Sequence, residues 1–374
     1  MSVNKSYLPA VDSPEWEKLA GDYPDASRTQ LEIWASQFGY SSIHNFMGAM
    51  RKIRGIGRAN PEPILGDRLR EMPVVELPPI KLREYKAKKT RRGDEEEAVL
   101  QGGDGHAGKI TKSFDEDVYL ECMDTMFDST MTLVALHRNM YPINTLHIVA
   151  LGDNVQGENP FQGSKVGSIR MGVRDQIAKL AFPAWVKLIC SLKQEFAQVI
   201  FDGFPGNHGH DRLAPETSRA DLSLYDLIDA KIGDKKGITI NIHETSGEII
   251  EIGGFRVYCF HGDEIPCQQG VPHFALAKKL KAWFIQFGGF NYALGAHFHK
   301  RIVDEIASQL EYSMSSTLVS DDDWAIKKLG ISSSPSQNLF GVHPQMGMTW
   351  RYKMVVNKSF LMAKLPDTYG KEIK

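Results

Sequence analysis

The stretch IVALGDNVQGENPFQG, residues Ile148 to Gly163, begins as an apolar run and changes abruptly to Gly, Asp and Asn. A short apolar run that ends at turn residues is typical of a buried β-strand. Asp153 and Asn154 therefore follow the carboxyl end of a predicted strand, and Gly152 lets the backbone turn tightly beside them. Loops meet at this edge of a sheet, and α/β proteins bind their ligands there.

Four other apolar runs after Ala98 also end at acidic, amide or imidazole side chains. These runs are AVLQGGDGH, VIFDGFPGNH, FRVYCFHGD and NYALGAHFH. Helical stretches separate them, a pattern that predicts an α/β (α+β) domain or a sandwich flanked by helices. One Asp or His after a strand is usually a turn residue, but five such strand ends predict a shared site. The polar residues are Asp104, His106, Asp153, Asn154, Asn207, His208, His261, His297 and His299.

These side chains offer carboxylates, amides and imidazoles but no thiolate, and this donor set suits Mn, Fe, Zn or Ni. An iron–sulfur cluster would require cysteine ligands. One metal needs three or four ligands, so seven of these nine side chains, with one shared carboxylate, can fill two sites about 3.5 to 4 Å apart. We therefore expect two divalent transition-metal ions, Mn²⁺ first, with Fe, Zn or Ni as alternatives.

The order of the motifs, DxH, GD, GNH, a single His and HxH, resembles that of the calcineurin-like metallophosphoesterases. The resemblance runs from about Ala98 to the C-terminal region. Within that superfamily, GDNVQGENPFQG, GNHGHDR and the stretch that begins STLVSDDDW are most similar to phage and prophage-type members. They are more distantly similar to the nuclease subunits of double-strand-break repair complexes. The resemblance implies a four-layer sandwich of two β-sheets flanked by helices.

The resemblance also implies a role for each matching residue. The residues that would hold metal are Asp104, His106 and His299 for the first ion, Asp153 as the bridge, and Asn207, His261 and His297 for the second ion. His208, next to Asn207, matches the family's histidine that binds no metal. It would protonate the leaving group or stabilise its developing charge.

Three positions depart from the family's pattern without removing a ligand. Gly209 stands where many relatives have an acidic residue that orients the histidine. The orienting partner of His208 is therefore absent, or is Asp211 or another group. Gln156 replaces an acidic residue of the GDxxD pattern, and Ala296 replaces the glycine before HxH.

Residues 1–58 predict a separate helical module of three short helices. The second helix carries Leu31, Trp34 and Phe38 on one face, with Gly39 as a candidate C-cap. The module resembles a helix-turn-helix unit, in which the helix after the turn enters the major groove. Here that helix ends in MRKIRGIGR. A helical cap that packs on the larger domain is the alternative.

Residues 59–97 form a predicted linker, because they contain five prolines and change from basic to acidic. The composition of its segment KLREYKAKKTRR is suited to binding along the backbone of a polyanion. A solvated, charged tether is the alternative. Residues 98–374 form the predicted metallophosphoesterase domain. The candidate nucleic-acid-binding residues are Arg51, Lys52, Arg54, Lys86, Lys88, Lys89, Arg91 and Arg92.

The loop after the Asp153 strand suggests substrate contacts. Asn159, Phe161 and Gln162 can stack on a base and hydrogen bond to its edge, or the loop is a lid. Arg174 and Arg212 can clamp a phosphate, although surface salt bridges are the alternative for both.

Three functions are compatible with these residues. The favoured one is a dinuclear-metal-dependent phosphoesterase that hydrolyses phosphodiester bonds in nucleic acid or nucleotides, as a nuclease or phosphodiesterase. The second is a phosphomonoesterase that acts on a small molecule or phosphoprotein. The third is a non-catalytic DNA-binding regulator with a vestigial metal site, which the complete ligand set disfavours.

The chain has 374 residues, a hydrophobic content of 42% and a formal net charge of −2, enough for a large core plus a smaller module. No apolar run approaches bilayer length and the N-terminus lacks a signal-peptide pattern. We expect no membrane partner and a cytoplasmic location in a bacterial or phage-infected cell. A homo-oligomer is compatible with the sequence. The four cysteines, Cys122, Cys190, Cys259 and Cys267, predict reduced thiols.

Overall fold

The computed structural model describes residues 94–158, 168–210, 214–266, 272–308, 310–321 and 334–357, and residues 82 and 85. Near the N-terminus it describes residues 8, 13–22, 27–38, 40, 46 and 50. The chain divides into two compact units, Met1–Met72 and Pro73–Lys374.

The smaller unit contains the helices α1, Pro14–Asp22, and α2, Arg28–Gln37, in its described part. Ser27 caps α2, because its hydroxyl accepts the N–H of Gln30 at 3.2 Å. The predicted apolar face of α2 packs against a small buried core. The residues of this core are Leu19, Ala35, Phe46 and Met50.

The third predicted helix is not described as an element, and Gly39, Arg51, Lys52 and Arg54 lie outside the described residues. Within the described part, α2 ends at Gln37 and its C-cap is Phe38. The helix-turn-helix interpretation therefore stays a prediction.

The larger unit contains two mixed sheets and four helices in its described part. The strands are β1 (Glu97–Gly102), β2 (Thr145–Ala150), β3 (Gln198–Gly203), β4 (Ile238–Ile242), β5 (Gly247–Ile252), β6 (Phe255–Phe260), β7 (Tyr292–Gly295), β8 (Ile302–Ala307), β9 (Leu310–Met314), β10 (Ser336–His343) and β11 (Gly347–Val355). The helices are α3 (Glu116–His137), α4, α5 (Ala220–Ile232) and α6 (His273–Gln286). A short 3₁₀ turn, Glu216–Ser218, precedes α5.

Helix α4 has three parts, the α-helical turn Val173–Asp175, the π-helical segment Gln176–Ala181 and the α-helix Phe182–Lys193. Pro183 has no N–H, and its ring would crowd the preceding turn of a regular α-helix. The N–H of Phe182 instead donates to the carbonyl of Ile177, five residues earlier. The wider π-helical turn therefore accommodates the proline.

The first sheet has the strand order β11-β10-β1-β2-β3-β4, and β1 to β4 are parallel. The second sheet has the order β5-β6-β7-β9-β8, with β6, β7 and β9 parallel. The last residues of β1, β2 and β3 are register partners: Gly102 pairs with Ala150, and Ala150 with Gly203. The three following loops therefore begin at one level of one edge.

The two sheets pack face to face through a core that includes Val99, Val149, Val257 and Leu294. Helix α6 covers the outer face of the second sheet through Leu276 and Leu280. On the other side, Trp185 of α4 and Tyr225 of α5 pack edge-on against Phe201 of β3. The order helix, sheet, sheet, helix confirms the predicted four-layer sandwich of two sheets flanked by helices.

A buried side-chain amide joins the two sheets near this edge. The Nε2 of Gln101 on β1 donates to the carbonyls of Gly295 on β7 and Ser313 on β9, each at 3.0 Å. The Ser313 hydroxyl donates back to Oε1 of Gln101 at 2.7 Å. Because the amide of Gln101 and the hydroxyl of Ser313 both have hydrogen-bond partners, this network fixes β1 of the first sheet against β7 and β9 of the second sheet.

Part of the predicted linker contacts the larger unit's helices. Leu82 and Tyr85 are half-buried, and the guanidinium of Arg138 lies over the Tyr85 ring, 5.7 Å from its centroid. The basic residues Lys86, Lys88, Lys89, Arg91 and Arg92 lie outside the described residues.

Three of the four cysteines, Cys122, Cys190 and Cys259, are free thiols, as expected. Cys267 lies outside the described residues. Among the helices that the structure describes, none is long and apolar enough to span a bilayer.

His243, just after β4, bridges the two sheets. Its Nε2 lies 3.1 Å from Oδ1 of Asp202 on β3, and its Nδ1 lies 3.0 Å from Oε2 of Glu248 on β5. The ring also stacks on Phe204. Burial lowers the pKa of His243, but the two carboxylates outweigh burial and raise it above its ordinary value.

We expect His243 to stabilise the fold fully below its unfolded-state pKa of about 6.5. That contribution should be lost as the pH rises through the raised folded-state pKa. His243→Gln should therefore destabilise the chain more at pH 6 than at pH 9, as measured by urea unfolding. The comparison with wild type cancels other pH-dependent contributions. An equal effect of the substitution at both pH values would contradict the bridge.

Candidate metal centre

The structure brings the seven predicted metal ligands and His208 to one edge of the sandwich. Loops after β1, β2 and β3 of the first sheet, and after β6 and β7 of the second sheet, carry them. In that order the loops supply Asp104 and His106, Asp153, Asn207 and His208, His261, and His297 and His299. All of the carboxylates and most of the imidazoles among them are buried.

The backbone at these residues is unusual. Six described non-glycine residues have positive φ, and five of them are predicted ligands. These five are Asp104 (53°), His106 (47°), Asp153 (54°), His297 (71°) and His299 (53°). Left-handed backbone costs side-chain-bearing residues about 1 kcal/mol or more, and such strain clusters at functional sites. The loops therefore hold these side chains in directions that ordinary turns would not give.

One cluster consists of Asp104, His106 and His299. The Nε2 atoms of the two histidines lie 2.9 Å apart, and Nε2 of His299 lies 3.6 Å from Oδ1 of Asp104. Oδ2 of Asp104 accepts the N–H of His297 at 2.8 Å, but buried Oδ1 has no hydrogen-bond partner among the described residues. A buried carboxylate oxygen without a donor fits a cation ligand.

A second cluster surrounds Nε2 of His261. The Nδ1–H of His261 donates to the carbonyl of Leu151 at 2.7 Å, so Nε2 faces the cluster. This Nε2 lies 3.0 Å from Oδ1 of Asn207, 3.2 Å from Oδ2 of Asp153 and 3.2 Å from Nδ1 of His297. Four electron-pair donors thus converge, as they would around a cation.

Asp153 links the two clusters. It belongs to a group with His261 and His297 and to a group with His106 and His208, and His106 also belongs to the Asp104 cluster. The ligand atoms within each group lie within 4.8 Å of one another. Oδ1 of Asp153 accepts the backbone N–H of His208 at 2.7 Å, which fixes the carboxylate between the clusters.

The electrostatics of the site favour bound positive charge. Burial raises the pKa of Asp104 well above its usual range. Burial lowers the pKa of His261, but the charges of Asp153 and Asp104 outweigh it and raise that pKa to about 10. Burial also lowers the pKa of His106, and it lowers that of His297 to about 4, so both are neutral at pH 7. The neutral imidazoles of His106 and His297 can donate electron pairs to a cation. Divalent cations would also compensate the buried charges of Asp104 and Asp153.

A backbone carbonyl orients His208. Nδ1–H of His208 donates to the carbonyl of Gln156 at 2.9 Å, and Nε2 lies 3.8 Å from Oδ2 of Asp153. Gly209 has a φ of +66°, and a Cβ there would lie 2.5 Å from the Cβ of Ala220. A side chain at this position would require the chain at Gly209 or Ala220 to shift. Among the described residues, the carbonyl of Gln156 orients His208, whereas the candidate Asp211 lies outside them.

Asp221, the second residue of α5, is a supporting residue that was not predicted from the sequence. Its Oδ2 accepts the N–H groups of Asp153 and Gly206, both at 2.9 Å, and its Oδ1 accepts the N–H and the side-chain amide of Asn154, both at 3.0 Å. Burial and the nearby Asp153 raise its pKa, whereas these donors favour the charged form. Asp221 therefore ties the loops after β2 and β3 together. Its position beyond the GNH motif gave no sequence signal.

The predicted substrate contacts lie mostly outside the part of the chain that the structure describes. Asn159, Phe161, Gln162 and Arg212 lie outside the described residues, as does Asp211. Arg174 is exposed in the first turn of α4. The substrate-binding assignments therefore stay predictions.

No family model and no curated protein matches the chain. Among solved structures, an archaeal phosphodiesterase is 10% identical, covering 69% of this chain and 99% of its own, with a TM-score of 0.33. Vps29 from Entamoeba histolytica complexed with Zn²⁺ is 12% identical. The match covers 69% of this chain and 99% of the Vps29 chain, with a TM-score of 0.30. The 5′-nucleotidase from Candida albicans is 11% identical. The match covers 73% of this chain and 53% of the nucleotidase chain, with a TM-score of 0.33. Because the similarity is this low, function is inferred from the residues of this chain.

We expect Asp221→Asn to weaken both the fold and cation binding, because an amide N–H₂ would face backbone N–H donors. Loss of these charged hydrogen bonds should lower the free energy of unfolding by about 2 to 4 kcal/mol. Urea unfolding in chelator measures the first effect, and calorimetric titration with Zn²⁺ or Mn²⁺ measures the second. Asp226→Asn, at an exposed position of the same helix, is the matched control. Wild-type cation affinity in Asp221→Asn would show that Asp221 does not organise the ligand loops.

Proposed function

We propose that the chain is a metal-dependent hydrolase that cleaves phosphodiester bonds, in nucleic acid or in nucleotides. The observation that carries the proposal is the pair of buried carboxylate–imidazole clusters that share Asp153, with an oriented histidine beside them. The composition of the clusters suits cations that act as Lewis acids, and it contains no thiolate that would favour a purely structural zinc site.

Two divalent cations are the proposed cofactors, with Mn²⁺ as the first candidate and Fe, Zn or Ni as alternatives. Asp104, His106 and His299 would hold one ion, Asn207, His261 and His297 the other, and Asp153 would serve both. When bound, such cations activate a water nucleophile and neutralise the charge on phosphoryl oxygens. The protein's own part is to hold their ligands rigidly through the strained loops and Asp221.

His208 is the proposed proton donor to the leaving alkoxide. Because its Nδ1–H is bonded to the carbonyl of Gln156, Nε2 is the atom that gains and loses a proton. Burial lowers the pKa of His208, so that the protonated ring is a stronger acid than an exposed imidazolium. Its ring centroid lies 4.5 Å from that of His106, which places it beside the first cluster.

The proposed substrate is polyanionic, because the segment 81–92 carries seven basic residues in twelve positions, KLREYKAKKTRR. The contact of Tyr85 with Arg138 attaches this segment to the unit that holds the metal centre. Such a segment would follow the phosphate backbone and raise the affinity for a polymer without taking part in bond cleavage.

We expect hydrolysis of bis-p-nitrophenyl phosphate to require a transition metal, and His208→Ala to keep its metal affinity. Loss of the acid should cost about 100-fold or more on diesters with poor leaving groups such as nucleosides. The loss should be much smaller on p-nitrophenyl esters, whose leaving group needs no proton. Steady-state kinetics on both substrate types with Mn²⁺ measures this difference, with His273→Ala as the control.

Each part of this proposal has its own contrary result. Full activity in excess chelator would exclude metal dependence. An equal loss on both substrate types would remove His208 from the acid role. A preference for p-nitrophenyl phosphate over the diester would favour a phosphomonoesterase.

Replacement of five basic residues by glutamine tests the polymer substrate. The variant should cleave a small diester at the wild-type rate but bind single- or double-stranded DNA at least tenfold more weakly at low salt. The slope of log K against log salt should fall by about 0.7 to 0.9 per lost phosphate contact. Fluorescence anisotropy across a salt series measures the DNA affinity. An unchanged affinity at low salt would exclude a role of this basic segment in binding a polymeric substrate. The residues are Lys86, Lys88, Lys89, Arg91 and Arg92.

A further inference from the structure

The side chain of Gln176 is fully buried at the start of the π-helical segment of α4, and it bonds to the loop after β2. Its Oε1 accepts the N–H of Gly157 at 2.8 Å. Its Nε2 donates to the carbonyl of Gly157 at 3.1 Å and to that of Met171 at 3.0 Å. The acceptor and both donors of the amide are therefore used on backbone groups.

The N–H of Gly157 and the carbonyl of Gln156 belong to one peptide unit. That carbonyl accepts Nδ1–H of His208 at 2.9 Å. Because a peptide unit is planar and trans, its N–H and C=O point in opposite directions. Gln176, which fixes the N–H, thus also fixes the direction of the carbonyl that holds His208. Hydrogen bonding at both ends of the unit also polarises it and strengthens the bond to the imidazole.

Gly157 makes such a clamp necessary. It has a φ of +74°, and a Cβ at this position would lie 2.6 Å from the backbone nitrogen of Gly209. The close approach of the two loops thus requires glycine, which has the greatest freedom to rotate its peptide units. The N–H of Gln156 donates to the carbonyl of Ala107 at 3.0 Å, which fixes the preceding peptide unit but leaves the next one to Gln176.

From this chain of contacts we propose that Gln176 is a positioning residue for His208, acting through the peptide unit between Gln156 and Gly157. The proposal rests on the proposed function, because it assumes that His208 is the proton donor. Gln176 thus acts, from a different element, in place of the acidic residue that would crowd Ala220 if it stood at Gly209. Its side-chain hydrogen bonds go to backbone groups of Gly157 and Met171, neither of which is a predicted metal ligand.

The test is Gln176→Met, which keeps the length of the side chain and removes all three hydrogen bonds. We expect kcat to fall about tenfold on diesters with poor leaving groups, a part of the full contribution of a general acid. The loss on p-nitrophenyl diesters should be threefold or less, with KM and the affinity for Mn²⁺ changed by less than twofold. Gln194→Met, at an exposed position after the same helix, is the matched control.

A double-mutant cycle separates positioning from general destabilisation. In the His208→Ala background, Gln176→Met should cause no further selective loss, because the residue acts through the missing imidazole. Additive losses, or an equal loss on both substrate types, would overturn the inference. If His208→Ala itself shows no selectivity for poor leaving groups, the acid role fails instead, and the two failures are distinguished.

Gln176→Glu provides a second variant if Gln176→Met does not fold, as judged by its melting curve. The carboxylate keeps an acceptor for the N–H of Gly157 but loses both donors to the carbonyls. A selective loss smaller than that of His208→Ala is expected. A loss of the same size on both substrate types would overturn the inference in this variant as well.

Discussion

Three carboxylates, those of Asp104, Asp153 and Asp221, are buried at one edge of the sandwich. The loop structure at this edge depends on how each of their charges is compensated. Asp221 is surrounded by N–H donors from two loops. Asp153 faces imidazoles and one backbone N–H, whereas Asp104 has a donor for only one oxygen. Since unpaired buried charge is costly, the remaining negative charge requires a cation or a proton. Cation binding and loop geometry therefore form one electrostatic unit.

The α/β character of the larger unit and the position of the site were predictable from local sequence, whereas the four-layer arrangement was predicted from the resemblance to a known family. A buried strand is mostly apolar, so a cluster of glycine and polar residues directly after an apolar run marks the strand end. GDN after β2 and GNH after β3 show this pattern, and parallel pairing then brings the two ends together. The polar strand ends were thus predicted from the residues alone, and the resemblance carried by the motif order predicted which of them would hold metal.

The supporting residues were not predictable, because they act through backbone atoms. Asp221 lies in the first turn of α5 and Gln176 begins the π-helical segment of α4, and nothing in their spacing along the sequence shows that they bond to N–H and C=O groups of distant loops. Likewise, any residue at position 156 would offer the carbonyl that holds His208. The missing acid after GNH was visible in the sequence, but only the close packing of Gly209 against Ala220 explains its absence.

The predicted ligands come from both sheets, and this origin has a consequence for chain entropy. His106 and His299, whose imidazoles meet in one cluster, are separated by 193 positions in the sequence. A cation held by both would act as a reversible cross-link, restricting the unfolded ensemble much as a long-loop disulfide does. Such a link cannot nucleate folding, because its ligands meet only after both sheets have paired. The affinity for such a cation would therefore report on completion of the sandwich as a whole.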